Sequence, residues 1–459
     1  MEINPTIQAH DLQEKLKTLW SLSEQKLAAL ERAYDTTQGT PVFTVQGKYT
    51  TRGWTEWTQG FQVGSAILQF DATGAKTWLA RGRKATRERM AAHVGHFGVH
   101  DHGFNNVSTY GNLLRLMREG RIEANEWEQA FYVLALQLSG AVQARRWTPL
   151  PEGGYLYSFN GPHSLFVDTI RSCRALVVSH GLGYRLWGEN DTQTDLLERA
   201  YDHCLATAQY SVYYGDGRDT YDQWGRTAHE AIFNTNDGHY RCPNSQQGYS
   251  GFTTWTRGLS WAMLGFAEQL EYLTTLPKDT EIPGRGRAKL IEIFKRAAQA
   301  TCDFYIKNTA LDGIPYWDTG APGLSQLGDY FGCPADPYND HEPVDSSAAA
   351  IGAQGLLRLG HLLKQQGDNQ GDTYWQAGLT VLDTLFSTPY LSENPTHQGL
   401  TLHSIYHHPN GWDAIPAGSK IPQGESSMWG DYHAREVALY VQRLLEGRPY
   451  YTFFGCLNP

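Results

Sequence analysis

The sequence lacks a C-x-x-C pair, an extended run of lysine or arginine, and any apolar stretch approaching the length of a membrane span. Its six cysteines, Cys173, Cys204, Cys242, Cys302, Cys333 and Cys456, are scattered. In a chain this long that pattern reads as reduced thiols in a cytoplasmic protein rather than a disulfide framework or a closed zinc site. Without a basic patch, and with a net charge of −10, no nucleic-acid partner is expected. An acidic substrate would then be held by a few local donors rather than by a general positive field. Without a run of some eighteen apolar residues, no membrane partner is expected either. The N-terminal MEINPTIQAHDLQEKL has no apolar segment of the signal-peptide type. The expected location is therefore cytoplasmic, or periplasmic where such a segment had been removed. Composition leaves the oligomeric state open.

What the chain does have is aromatic surface, with 14 Trp and 26 Tyr, and helical periodicity. Apolar residues recur at 3.6-residue spacing in about twelve segments, roughly 10–36, 57–73, 76–94, 102–118, 124–142, 165–184, 193–211, 254–275, 287–309, 346–365, 371–389 and 427–447. Strand-like alternation is scarce and falls in the connections, so the class is all-α. Short connections, such as Thr73-Gly74, alternate with long ones rich in Gly, Pro, Asn and aromatics at 143–164, 212–253, 310–345 and 390–427. That alternation gathers the long loops on one face, where function usually lies. Six helix pairs closing on themselves predict an (α/α)6 toroid. The whole chain, 1–459, would be a single catalytic domain, with 1–36 as its first outer helix and lead-in. An open twelve-helix solenoid is the alternative that periodicity alone does not exclude.

The even-numbered helices would form the inner ring, and their starts carry the chemistry. The second begins at Trp54-Thr55-Glu56-Trp57 and the fourth at His100-Asp101-His102-Gly103-Phe104. The sixth holds Asp168, the eighth Trp255, Arg257 and Trp261, the tenth opens on Asp345-Ser346-Ser347, and the twelfth on Trp429-Gly430-Asp431. Converging helix N-termini supply N–H groups and a positive dipole end suited to a carboxylate. Asp345 and Asp431 also read simply as helix caps. Asp168 follows Leu165-Phe166-Val167 and precedes Ile170, so a carboxylate there must be paired or functional. The run His93, His96, His100, His102 is chemically able to hold an ion, but its spacing matches no zinc motif, and neither metal nor cofactor is expected.

These segments resemble glycoside hydrolase family 88, the unsaturated glucuronyl hydrolases. The resemblance is carried by WTQGF (57–61), HDHGF (100–104), VDTIR (167–171), QGYSGFTTWTRGLSW (247–261), DGIPYWDTGAP (312–322), DSSAAAIGAQGLL (345–357) and WGDYHAREVAL (429–439). It implies an (α/α)6 barrel, with Asp101 and Asp168 as the catalytic pair. Gln247, Arg257 and Trp261 fall on family binding positions, as do Trp57, His229 (with His239 as the alternative), and Ser346 or Ser347. Three departures bear on specificity: His102 where the family is apolar, Asn105-Asn106 after Phe104, and Ser172-Cys173 in place of Asn-Leu.

The implied substrate is a lyase-generated oligosaccharide ending in a 4,5-unsaturated uronic acid. Acid protonates C4, water adds at C5, and the hemiketal opens to expel the neighbouring sugar. Asp168 is expected to donate that proton and then serve as base, which needs a raised pKa supplied by burial and an ionised Asp101. Gln247, Arg257 and His229 would hold the sugar and its carboxylate, and Trp57 and Trp261 would stack on it. The competing readings are a hydrolase of unsaturated rhamnogalacturonan or saturated glucuronides, a sugar epimerase using His100, His102 and His229, and a non-catalytic carbohydrate-binding toroid.

Overall fold

A computed structural model describes residues 1–52, 56–278, 280, 282 and 285–457. Trp54 and Thr55, read above as part of an inner-helix start, lie outside the described residues. Among the described residues twelve main helical stretches lie close to the periodic segments, besides a short turn at Ala91–Val94. They are α1 (Gln13–Ala33), α2 (Gln59–Thr73), α3 (Lys76–Arg89) and α4, which runs through His102–Asn105, a π-helical turn at Val107–Gly111, and Asn112–Arg118. Next come α5 (Glu126–Ala144), α6 (Thr169–Ser172 and Arg174–Gly181), α7 (Leu196–Tyr210) and α8 (Thr256–Thr275). The chain closes with α9 (Arg287–Lys307), α10 (Ser346–Gln365), α11 (Gln370–Leu385) and α12 (Met428–Leu445).

The even helices pack in sequence, α2 on α4, α4 on α6, α6 on α8, α8 on α10 and α10 on α12, and α12 returns onto α2. That last contact closes the ring and decides for the toroid over the solenoid. The composition of each set explains its place. From Thr256 to Leu273, α8 is buried on every side, whereas α3 buries only the stripe Trp78, Gly82 and Thr86. Inner helices approach closely through glycine: a Cβ on Gly103 would lie 2.3 Å from the Ser172 carbonyl oxygen.

One expected helix starts late. Ser164–Phe166 is a strand, paired antiparallel with Glu230–Phe233, which in turn pairs with Tyr240–Asn244. A short apolar run such as Leu165-Phe166-Val167 satisfies either period, and only a partner strand decides. Asp168 therefore stands at a strand-to-helix junction and not inside a helix.

Buried ion pairs fill the ring below its mouth. Asp71 of α2 accepts from Arg115 of α4 at 2.8 Å and from Arg443 of α12 at 2.7 Å. Burial alone would raise its pKa, but the two guanidinium groups hold it down to about 2. A folded pKa below the unfolded value near 3.8 adds about 2 kcal/mol at neutral pH, and this fades as pH falls from about 4 toward 2. Asp71→Asn is expected to melt earlier at pH 7, with the gap to the parent closing below about pH 3. Melting temperatures across pH check this; a gap that ignores pH would show that the ion pairs contribute nothing.

Candidate active site

Two inner helices begin on an aspartate that caps nothing. At such positions the side chain normally accepts from the first turn of its own helix. Asp345 does so through the Ser347 amide at 3.0 Å, and Asp195 through that of Leu197 at 2.8 Å. Asp168, before α6, and Asp101, before α4, make no such bond. Their side chains turn to His100 instead: Nε2 of the imidazole lies 3.0 Å from Asp168 Oδ2 and 3.8 Å from Asp101 Oδ1. Asp431 is also no cap, since Ser427 fills that place; its carboxylate ties down the Leu400 and Thr401 amides and the Tyr49 hydroxyl.

His229, delivered by the strand Glu230–Phe233, closes the other side of Asp168. Its Nδ1 accepts from the Gln246 and Gln247 amides at 3.0 and 3.3 Å, so the proton sits on Nε2, 3.7 Å from Asp168 Oδ1. That oxygen and that nitrogen are both buried and make no hydrogen bond. A substrate hydroxyl or water between them would satisfy both. His239, the alternative, is exposed and paired with Asp237.

Electrostatics reverse one expectation. Burial raises the Asp168 carboxyl, but the hydrogen bond and charge of His100, together with His229, hold it far below the usual range. Asp101 goes the other way: burial lifts it, His100 opposes, and Asp168 adds to the rise. Burial also works against protonating His100, but Asp101 and Asp168 together override it and raise its pKa. The raised carboxyl in the free protein is therefore Asp101, because both imidazoles serve Asp168. Facing atoms of His100, Asp101 and Asp168 lie within 4.8 Å of one another, a spacing that could also meet at a metal ion. The 3.0 Å His100–Asp168 contact uses those atoms for a proton.

Above this cluster opens a pocket lined largely by aromatic side chains. Trp57 and Trp261 line it, with Trp57 stacked 5.1 Å from Trp429. Gln247 and Arg257 line it too, but the arginine is engaged. Its Nη1 donates to Asp345 at 2.8 Å and to the Ile405 carbonyl, and its Nη2 to Gln247 Oε1 at 3.1 Å and to the Tyr406 carbonyl at 2.6 Å. It orients Gln247 and the 405–406 backbone. Ser346 and Ser347 are not on the lining: Ser347 Oγ donates to Asp345 and accepts from Trp429 Nε1, and Ser346 is buried.

Sequence reasoning missed Phe159, Phe166, Tyr406, His407 and Trp412, all on the lining. Phe166 ends the strand Ser164–Phe166 and the other four sit in the long connections, where nothing local marks an aromatic as pocket rather than core. His100 was read as one of a histidine run and as a possible epimerase residue, not as the partner of Asp168; its position beside Asp101 was the available signal. The departures from the family pattern prove to be scaffold. His102 bonds Ser139 Oγ and the His96 carbonyl, Asn105 accepts from the Gly60 amide, and Asn106 donates to Ser139. Ser172 Oγ donates to the His100 carbonyl and accepts from the Gly103 amide, gripping the backbone on both sides of Asp101.

Ring and site together define an (α/α)6 toroid with an aromatic-lined pocket over a buried carboxylate pair. No family model matches the chain. A curated relative from Bacillus sp. (strain GL1), named unsaturated glucuronyl hydrolase, is 25% identical over 404 residues, covering 87% of this chain and 90% of its own length. The crystal structure of unsaturated glucuronyl hydrolase from Bacillus sp. GL1 matches with a TM-score of 0.67 at 22% identity, over 94% of this chain and 98% of that one. The unsaturated glucuronyl hydrolase of Streptococcus agalactiae gives 0.70 at 19% identity, over 95% and 93%. The resemblance to the unsaturated glucuronyl hydrolases read from the motifs is borne out, and so is the fold.

Proposed function

We propose that this protein is a glycoside hydrolase that removes the terminal 4,5-unsaturated uronic acid from lyase-generated oligosaccharides by hydrating the C4–C5 bond. The observation that carries the reading is the non-capping pair Asp168 and Asp101, bridged by His100 at the base of a tryptophan-walled pocket. Two carboxylates and an imidazole buried this closely share protons, and the cluster holds at least one near neutrality. The substrate carboxylate adds negative charge and displaces water, which raises Asp168 in the complex. Asp168 then receives the proton of His100 and passes it to C4. Water adds at C5 and returns a proton to Asp168, the C5 hemiketal opens, and the neighbouring sugar leaves. Asp101 supplies the charge that keeps His100 protonated and accepts from sugar hydroxyls. His229 holds the sugar with its Nε2–H, Gln247 is set by Arg257 for the same purpose, and Trp57 and Trp261 stack on the ring. No bond at the anomeric carbon is displaced directly, so the carboxylate spacing carries no stereochemical meaning.

The twelve helices form an inner ring of six with an outer set of six packed on it, and the N-terminal amine reaches the Ile306 and Thr309 carbonyls, which supports a single catalytic domain. No helix of the described residues is long and apolar enough to cross a membrane. The scattered cysteines support a cytoplasmic location.

Ultraviolet absorbance against a panel of lyase-generated unsaturated disaccharides tests the reaction, because ring opening destroys the conjugated chromophore. Absorbance is expected to fall on at least one substrate. Persistent absorbance with release of sugar from saturated glucuronides would move the chemistry to the anomeric carbon. No consumption at all would favour the epimerase or binding-module reading.

A further inference from the structure

We infer that the outer face of α5 is the surface through which two copies of this chain pair about a two-fold axis. An outer-ring helix should turn polar residues to water. The exposed face of α3 carries Lys84, Arg87 and Glu88, and that of α9 carries Lys289, Glu292 and Arg296. On α5 the corresponding face is apolar for three turns: Trp127 is 83% exposed, Leu134 52%, Phe131 39% and Leu138 37%. Ala130 lies among them, also exposed. The hairpin strand Leu186–Trp187 packs beside α5 and extends the patch with Trp187, which is 55% exposed.

The order of these residues fits a second copy of the same helix. Steps of four, three and four from Trp127 to Leu138 read the same in both directions, with the midpoint between Tyr132 and Val133. An antiparallel pairing about that point sets Trp127 against Leu138 of the second copy and Phe131 against its Leu134, at both halves alike. This is the self-complementarity that a two-fold interface requires. Charge agrees with it. Exposed Glu123 and Glu126 mark the start of α5 and exposed Arg145 its end, so antiparallel pairing brings acid against base at each end. The helix dipoles oppose in the same sense. Aromatic side chains bury about 150–250 Å² each, so the patch amounts to a few hundred Å² per copy. That area sits at the low end of protein–protein contacts, which makes the pairing a reversible one. The contact lies on the outer wall, away from the pocket mouth.

Sedimentation velocity of the full chain between about 1 and 100 µM is expected to show a concentration-dependent monomer–dimer equilibrium. Trp127→Asp and Ala130→Glu should each raise the dissociation constant at least about thirtyfold, with unchanged melting and unchanged turnover of the preferred unsaturated disaccharide. Both positions are exposed, so neither change disturbs the core. Glu123→Arg should weaken the dimer, and adding Arg145→Glu should restore it. A chain that stays monomeric throughout overturns the inference, as does a dimer indifferent to both α5 variants or a charge reversal without rescue.

Discussion

Asp168→Asn is expected to reduce kcat about 10² to 10⁴-fold on the best unsaturated disaccharide while leaving KM within a few-fold of the parent. The amide matches the carboxylate in shape and still meets His100, now at 3.0 Å from a neutral partner, so the pocket keeps its form. What is lost is a group that can give a proton to C4 and take one from water. Loss of its charge also removes one of the two carboxylates that keep His100 protonated, so the proton relay fails at two points. Steady-state kinetics by loss of ultraviolet absorbance, with substrate affinity measured separately by calorimetry, divides chemistry from binding. A variant of near-normal kcat would remove Asp168 from the reaction. A binding module without catalysis would show no difference between the two proteins in either measurement.

Arg257→Met should cost both stability and activity. The guanidinium is 2% exposed and lies between the Trp255 and Trp429 rings, 4.6 and 4.9 Å from their centroids. Its loss leaves Asp345 as a fully buried carboxylate without its cation, a change that costs about 3–5 kcal/mol in such settings. It also frees Gln247 and the Ile405 and Tyr406 carbonyls, loosening one wall of the pocket. Melting temperature should fall by several degrees, with KM rising more than kcat falls. Arg257→Lys should recover part of the stability through Asp345 but little of the affinity, because one ammonium cannot hold four acceptors in a plane. Equal recovery of both would mean that the arginine acts on this site only through its charge.

How much of this could be read before folding depended on whether the signal was local. Helical periodicity is local, and eleven of the twelve helices start within a few residues of their apolar pattern. The exception, 165–184, fails at a run of three apolar residues, where the strand Glu230–Phe233, more than sixty positions away, makes the choice. Asp101 and Asp168 were also legible as candidates, through motif order and through an acid set among apolar neighbours. The electrostatic setting of each was not. It depends on where His100 and His229 point, and His229 arrives just ahead of a strand from a different part of the chain.

Taken alone, the sequence determined the class, the helix count, and the alternation of long and short connections, since each rests on neighbours within a few turns. Only the tertiary structure decided that α12 returns to α2, that Arg257 serves Asp345 and Gln247 first, and that Ser346 and Ser347 lie off the lining. It also decided that Phe159, Tyr406, His407 and Trp412 line the pocket. Those outcomes join residues from ten to several hundred positions apart, and side-chain direction over such distances follows from packing, which no local pattern encodes.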